Sequence, residues 1–323
     1  MLNDTRTFDA TPATAFVQQT CLPNLRESQN KDGGWGFRAG QESRAEPTAW
    51  ALLALSEFPV ADQVDSAISG AVSFFERSQL VDGSWPAVAG VKNGSWVTSL
   101  ACWALSVSAK NSESLLRGLH WLREDTPGDS GLWWRLMRRL GAGRNVSVQS
   151  DSLYGWSWTP GTASWVEPTS YAVIVLRSLP EKTLLSKTTA RLKVAEEMLF
   201  DRMCQGGGWN CGNPMVYGVA GEPQVGPTVW ALLALRKHLS RPEIQKSLDW
   251  LKGNSGNFES PASCALSNIA LRTLGRQTRD SADFLPVLHD HKDIPWSVPE
   301  LAWTVLSASP KQKWIHSSSG GKA

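Results

Sequence analysis

Apolar and polar stretches alternate along this chain with a long period. Six segments are apolar almost all round: 47–55, 97–105, 168–176, 227–235, 261–274 and 299–306. Two are near copies, PTAWALLAL at 47–55 and PTVWALLAL at 227–235. Each carries Pro, Thr or Ser at its start, where a hydroxyl caps the first amides and proline fits the first turn. A segment apolar on every side predicts a buried helix. Between them lie amphipathic segments at 12–29, 62–79, 111–124, 187–204, 241–252 and 280–290, with apolar residues at helical spacing beside charged ones, as in Phe74, Phe75, Glu76 and Arg77. Six inner and six outer helices in alternation predict an all-α (α/α)6 toroid over residues 1–310. The remainder, 311–323, reads as a disordered tail.

The connections from outer to inner helix carry a second repeat. Gln29 to Trp35 and Gln79 to Trp85 share the pattern Q-x-x-D-G-x-W, and weaker copies end at Trp133, Trp209 and Phe258. The pattern predicts a helix ending in glutamine, an Asp-Gly turn with left-handed glycine, and an indole returning to cover the helix end. Trp35, Trp85, Trp133 and Trp209 are therefore expected to be packing caps.

These turns resemble the QW repeats of squalene-hopene cyclases, oxidosqualene cyclases and the β-subunits of protein prenyltransferases. The resemblance covers about residues 10–310 and implies a toroid whose inner ring encloses a hydrophobic, isoprenoid-binding cavity. The zinc trio of the prenyltransferase branch is missing, since its expected positions read Gly226-Pro227-Thr228-Val229 and Val298-Pro299-Glu300-Leu301. The five histidines (120, 238, 289, 291 and 316) fall on expected outer helices or the tail. No metal site is expected. The cyclase branch opens one inner helix with Asp-x-Asp-Asp. That motif is absent here, but Glu167 in Glu167-Pro168-Thr169 takes the place of its proton-donating Asp. Glu46-Pro47-Thr48 repeats the arrangement, and Glu300 lies near another inner-helix start.

Composition changes the picture in one respect. The chain has 17 tryptophans against 9 Phe and 3 Tyr, so its aromatic surface is nearly all indole. The resemblance implies class II cyclisation, in which an acid protonates an alkene or epoxide and aromatic faces stabilise the travelling cation. Glu167 and Glu46 are the candidate acids: burial raises a carboxyl pKa, while a helix N-terminus lowers it. Trp50, Trp96, Trp103, Trp156, Trp158, Trp165, Tyr171, Trp230, Trp296 and Trp303 are the candidate cation–π or cavity-lining residues.

A long, lid-like insertion at 129–165 holds Trp133, Trp134, Trp156 and Trp158 and the arginines 135, 138, 139 and 144. Three readings of those arginines stand open: a grip on a substrate diphosphate, contact with an anionic membrane, or a solvated face. Arg38 and Arg44 are expected near the same mouth.

A net charge of +2 argues against a nucleic-acid binder. Five scattered cysteines and a start without a leader pattern point to a reducing, cytoplasmic setting, with peripheral membrane contact as a further expectation. The resemblance implies an isomerase-type cyclase needing no cofactor beyond Mg2+ if its substrate is a diphosphate. A non-catalytic isoprenoid binder or partner subunit is the alternative. Glycan processing by paired carboxylates is a third reading, which the turns disfavour.

Overall fold

The computed structural model describes residues 12–58, 62–141, 149–150, 152–180, 185–255, 260–276, 296–309 and 312–315. The chain enters through α1 (Pro12–Phe16), a π-helical turn (Val17–Cys21) and α2 (Leu22–Glu27), which form one outer segment. Then come α3 (Ala45–Glu57), α4 (Asp62–Ser78), α5 (Val97–Ser108), α6 (Glu113–Glu124) and a short α7 (Leu132–Arg139). Next are α8 (Val166–Arg177), α9 (Ser186–Asp201) and a small hairpin of β1 (Met215–Val216) and β2 (Val219–Ala220). The chain closes with α10 (Val225–Ala234), α11 (Pro242–Asn254), α12 (Pro261–Thr273) and α13 (Val298–Ala308).

Six of these helices make a closed inner ring. α3 packs on α5, α5 on α8, α8 on α10, α10 on α12, α12 on α13, and α13 returns to α3. Outside them lie the first segment against α13, α4 against α3, α6 against α5, α9 against α8 and α11 against α10. The fold is an all-α (α/α)6 toroid. The expected sixth outer helix, 280–290, lies outside the described residues.

Burial follows the pattern of the sequence. On α3, α5, α8 and α10 nearly every residue is buried, as segments apolar on all sides require. On α11 only the stripe Ile244, Ser247, Leu248 and Leu251 is buried. A fully buried leucine contributes about 1.5–3 kcal/mol, so the ring helices dominate the core.

The outer-to-inner turns are built alike. The indole N–H of Trp35 donates to Leu25 O at 2.7 Å, that of Trp85 to Phe75 O at 2.9 Å and that of Trp209 to Leu199 O at 2.6 Å. Each therefore satisfies a carbonyl near the end of its outer helix. The backbone N–H of the same tryptophans donates to Thr48, Thr98 and Thr228 Oγ1 at 2.9, 3.0 and 2.9 Å, joining each turn to its inner helix. Gln29 Nε2 donates to Gly33 O and to Ala67 O of α4, and Gln79 Nε2 repeats this with Gly83 O and Ser114 O of α6. Gly33 has φ +81°, and a Cβ there would lie 2.2 Å from Gly70 O, so only glycine fits.

Two expectations are corrected here. The third turn cap is Trp156: it donates from Nε1 to Leu122 O at 3.0 Å and from its backbone to Thr169 Oγ1 at 2.9 Å. Trp133, expected in that role, is 72% exposed on α7. The tail also folds back in part. Trp314 and Ile315 are buried beneath the ring; Trp314 packs 5.3 Å from Trp103, whose Nε1 donates to Trp314 O at 2.6 Å.

Candidate active site at the N-terminal mouth of the ring

Three inner helices begin in the same register. Ala45-Glu46-Pro47-Thr48, Val166-Glu167-Pro168-Thr169 and Val225-Gly226-Pro227-Thr228 each follow an extended residue, Arg44, Trp165 or Gln224. The threonine is pinned to its turn tryptophan, so the residue two before it is fixed at the mouth. Two of those residues are glutamates and the third is glycine. A Cβ on Gly226 would lie 3.5 Å from Glu167 Oε1, so its absence leaves room beside that carboxylate.

Both glutamates are half-buried. Burial pushes the Glu167 carboxyl up to about 7. Burial also lifts Glu46 to about 7, aided by the charge of Glu167 and opposed by the Arg44 guanidinium. Desolvation outweighs the helix N-terminus at both sites. The pair is close enough to couple, and near neutral pH such a pair favours holding a proton on one member. The phenol of Tyr171, one turn below Glu167, is raised well above its ordinary value by burial and then by both glutamates.

Beneath this mouth the axis is filled with rings. Trp50 stacks on Trp230 at 5.0 Å and meets Trp103, Tyr171 and Trp303 edge-on at 5.9, 6.0 and 5.7 Å. These side chains come from five of the six inner helices. Trp50, Trp103, Tyr171 and Trp230 are fully buried against one another, while Trp303 retains partial exposure. Nearer the rim, Trp96 stacks on Tyr171 at 5.7 Å and meets Trp158 edge-on at 4.8 Å. Trp96, Trp158, Trp165 and Trp296 are half-buried, and Trp296 packs 5.9 Å from Phe16 of the first outer segment.

Other expected site residues are placed elsewhere. Trp156 lies in its turn under the Arg191 guanidinium, 4.0 Å from the ring centroid. Glu300 is occupied as a helix cap: its carboxylate accepts from Ser297 N at 2.8 Å and Ser297 Oγ at 2.7 Å, while Ser297 Oγ accepts from Glu300 N. Arg135 and Arg139 stand on the surface helix α7, and the Arg138 side chain lies outside the described residues. Arg44 does reach the mouth, where it also lies 6.0 Å over Phe37. Among the described residues no three His, Cys, Asp or Glu are grouped to hold a metal ion.

Cys211 and Gln224 were not anticipated. Cys211 O accepts from Val166 N at 3.1 Å, beside Glu167, and its thiol donates to Gln224 Oε1 at 3.3 Å. Its pKa is raised by burial and then by Glu167. The signal was positional. Phe37, Trp158 and Cys211 each follow a turn tryptophan by two, and each accepts an amide N–H at the start of a neighbouring inner helix, from Val298, Trp96 and Val166. That position marks the rim.

The sequence matches no family model and no curated protein. Solved structures of the same fold align with most of the chain. The type II terpene cyclase MstE from Scytonema aligns at a TM-score of 0.61 and 14% identity, over 92% of this chain and 97% of its own. A variant of that enzyme with geranylgeranyl dihydroxybenzoate, its substrate, aligns at 0.60 and 15%, over 93% and 99%. The endo-β-1,4-glucanase CMCax from Acetobacter xylinum aligns at 0.54 and 13%, over 91% and 97%. One toroid thus carries unrelated chemistries, and the mouth residues must decide between them.

Proposed function

We propose that this chain is a terpene cyclase-like enzyme that binds an isoprenoid at the mouth of its inner ring and cyclises it by protonation. The observation that carries the reading is a pair of half-buried glutamates with pKa values near 7, set above an aromatic floor. Glu167 is the proton donor, because burial favours its neutral form with no cation to oppose it. Glu46 has Arg44 beside it to support its anion. The protonated Glu167 carboxyl gives its proton to the substrate alkene. The carbocation then spreads along the chain over the faces of Trp96, Trp158 and Tyr171, at about 0.5–2 kcal/mol per contact. Loss of a proton from the cyclised cation leaves an isomer of the substrate. Glu46, charged and nearby, suits that last step. No cofactor is needed, although a diphosphate substrate would bring Mg2+ with it.

Similarity to an enzyme of the same fold and length that acts on a geranylgeranyl compound supports the substrate class. The rings packed around Trp50 support a substrate seated above that layer, at the mouth. The same packing favours the second reading, a binder without turnover, because rings from five helices occupy the deep part of the axis.

Incubation with geranylgeranyl dihydroxybenzoate, geranylgeranyl diphosphate, farnesyl diphosphate and squalene, read by mass spectrometry, separates the two. Cyclic isomers are expected with at least one of them, with Glu167→Gln inactive and Glu46→Gln slowed. Full activity in both variants overturns the acid assignment. Binding of every substrate without turnover establishes the carrier.

A further inference from the structure

One position at the mouth repeats on four inner helices that are neighbours in the ring. Trp35, Trp85, Trp156 and Trp209 hold Thr48, Thr98, Thr169 and Thr228 through their backbone N–H groups. Two residues before these threonines stand Glu46, Trp96, Glu167 and Gly226, at the starts of α3, α5, α8 and α10. Those helices follow one another in that order around the ring. All four residues are half-buried, and the residue after each is buried. The same position therefore offers the mouth an acid, an indole, a second acid and then no side chain.

Neither the backbone nor the packing calls for that glycine. Gly226 does not stand at positive φ, so its backbone suits any residue. Outside its own helix a Cβ there would meet one atom within 4 Å, Glu167 Oε1 at 3.5 Å, an ordinary contact. Gly33 and Gly83 show the opposite case: a Cβ on them would strike Gly70 O at 2.2 Å and Arg117 O at 2.7 Å. Glycine also weakens a helix relative to alanine. Because α8 lies between α5 and α10, Glu167 has the helix bearing Trp96 on one flank and this open space on the other.

We propose, on the reading of Glu167 as the proton donor, that Gly226 is a specificity-determining residue. It keeps a notch beside Glu167 Oε1 that admits the branched apolar end of the substrate and, by its width, limits how large that end can be. A slot one side chain wide suits an alkene end carrying two methyl groups and turns away an end that already bears a ring. A side chain at 226 stands where that end must lie to bring its double bond onto the carboxyl. One or two carbons at such a contact change selectivity about tenfold or more.

A carboxyl reagent tests the notch without any substrate. Full-length protein is treated with N,N′-diisopropylcarbodiimide, whose ends carry two methyl groups, at a pH of about 5 and of about 7, the latter near the Glu167 value. A protonated carboxyl adds its O–H across one C=N bond, and the adduct rearranges to an N-acylurea that retains the whole reagent. Peptide mass spectrometry then reads each glutamate separately. Glu167 is expected to label at both pH values in the wild type, and the ring-ended dicyclohexyl reagent to label it poorly. In Gly226→Val its labelling should fall about tenfold or more relative to Glu46 in the same sample. Gly226→Ala should show a smaller fall with no loss of thermal midpoint, which separates a blocked notch from a damaged fold. Equal labelling of Glu167 in wild type and both variants overturns the proposal, as does equal labelling by the two reagents or none on wild-type Glu167. Failure of the acid assignment looks different: labelling disappears by about pH 7 in every variant, and the comparison at about pH 5 still decides the notch.

Discussion

At the C-terminal end of the inner helices, the buried carboxylate of Glu57 is fully answered: it accepts hydrogen bonds from Ser309 Oγ and from the backbone N–H of Trp314. At the N-terminal end, Glu46 and Glu167 are half-buried, and no hydrogen bond to either carboxylate is seen among the described residues. The same helices thus close one end of the ring around a satisfied carboxylate, beside a Trp314 indole N–H that has no partner, and leave the other with carboxylates that burial holds near neutrality. Satisfied burial gives rigidity, whereas unsatisfied burial gives reactivity. In the proposed function the mouth is the working end.

The strongest way to break the contrast is to open the closed end. Trp314→Ala removes a buried indole and is expected to cost about 3–5 kcal/mol in denaturant unfolding. A cost below about 1 kcal/mol would show that the fold-back contributes little to closing the ring.

The open end is sharpened by pH. Carboxyls raised to about 7 from an ordinary 4.5 bind more protons in the folded state than in the unfolded one. The stability they contribute is therefore complete below about 4.5 and lost as pH rises through about 7, on the order of 2 kcal/mol for each. Glu46→Gln/Glu167→Gln is expected to flatten that decline in urea titrations across the range. Proton-donating activity should fall through the same window, since Glu167 must carry its proton.

A smaller effect is expected at the turns. Gln79→Ala removes two hydrogen bonds and should cost about 1–3 kcal/mol. Smallest of all, Trp133→Ser should leave unfolding within about 0.5 kcal/mol of wild type, because the side chain touches solvent. A larger loss would mean that α7 packs on the toroid.

The ring was legible because its helices announce themselves: Pro and Thr at the start, then an apolar run with no polar face. Glu46 and Glu167 were legible for the same reason, as acids held in register ahead of Pro-Thr. The third turn was misplaced because Trp133 and Trp156 both follow a glycine closely. Spacing would have separated them, since Thr48, Thr98 and Thr169 each lie 13 residues beyond their turn tryptophan. Glu300 lies near an inner-helix start, but Ser297-x-x-Glu300 spells a capping box that occupies its carboxylate. Trp314 had no local signal. Its place is set by Glu57 and Trp103, more than 200 residues away. Whether the axis is hollow or filled also depends on side-chain directions from five helices at once, which no local pattern encodes.

The return of α13 to α3 has a consequence for how the chain folds. Each outer–inner pair is assembled from neighbours in sequence and can form as the chain emerges, like a unit of a linear repeat protein. The ring, however, has a seam. It closes only when residues 298–308 meet residues 45–57, and the Glu57 contacts to Ser309 and Trp314 span 252 and 257 residues at that same junction. Pairings so distant in sequence bear the largest loop-closure entropy in the molecule and make the slow step of folding. Until they form, the first and last inner helices each expose an apolar side meant for the other. The seam is therefore where an unfinished chain is most open to aggregation or to pairing with a second chain.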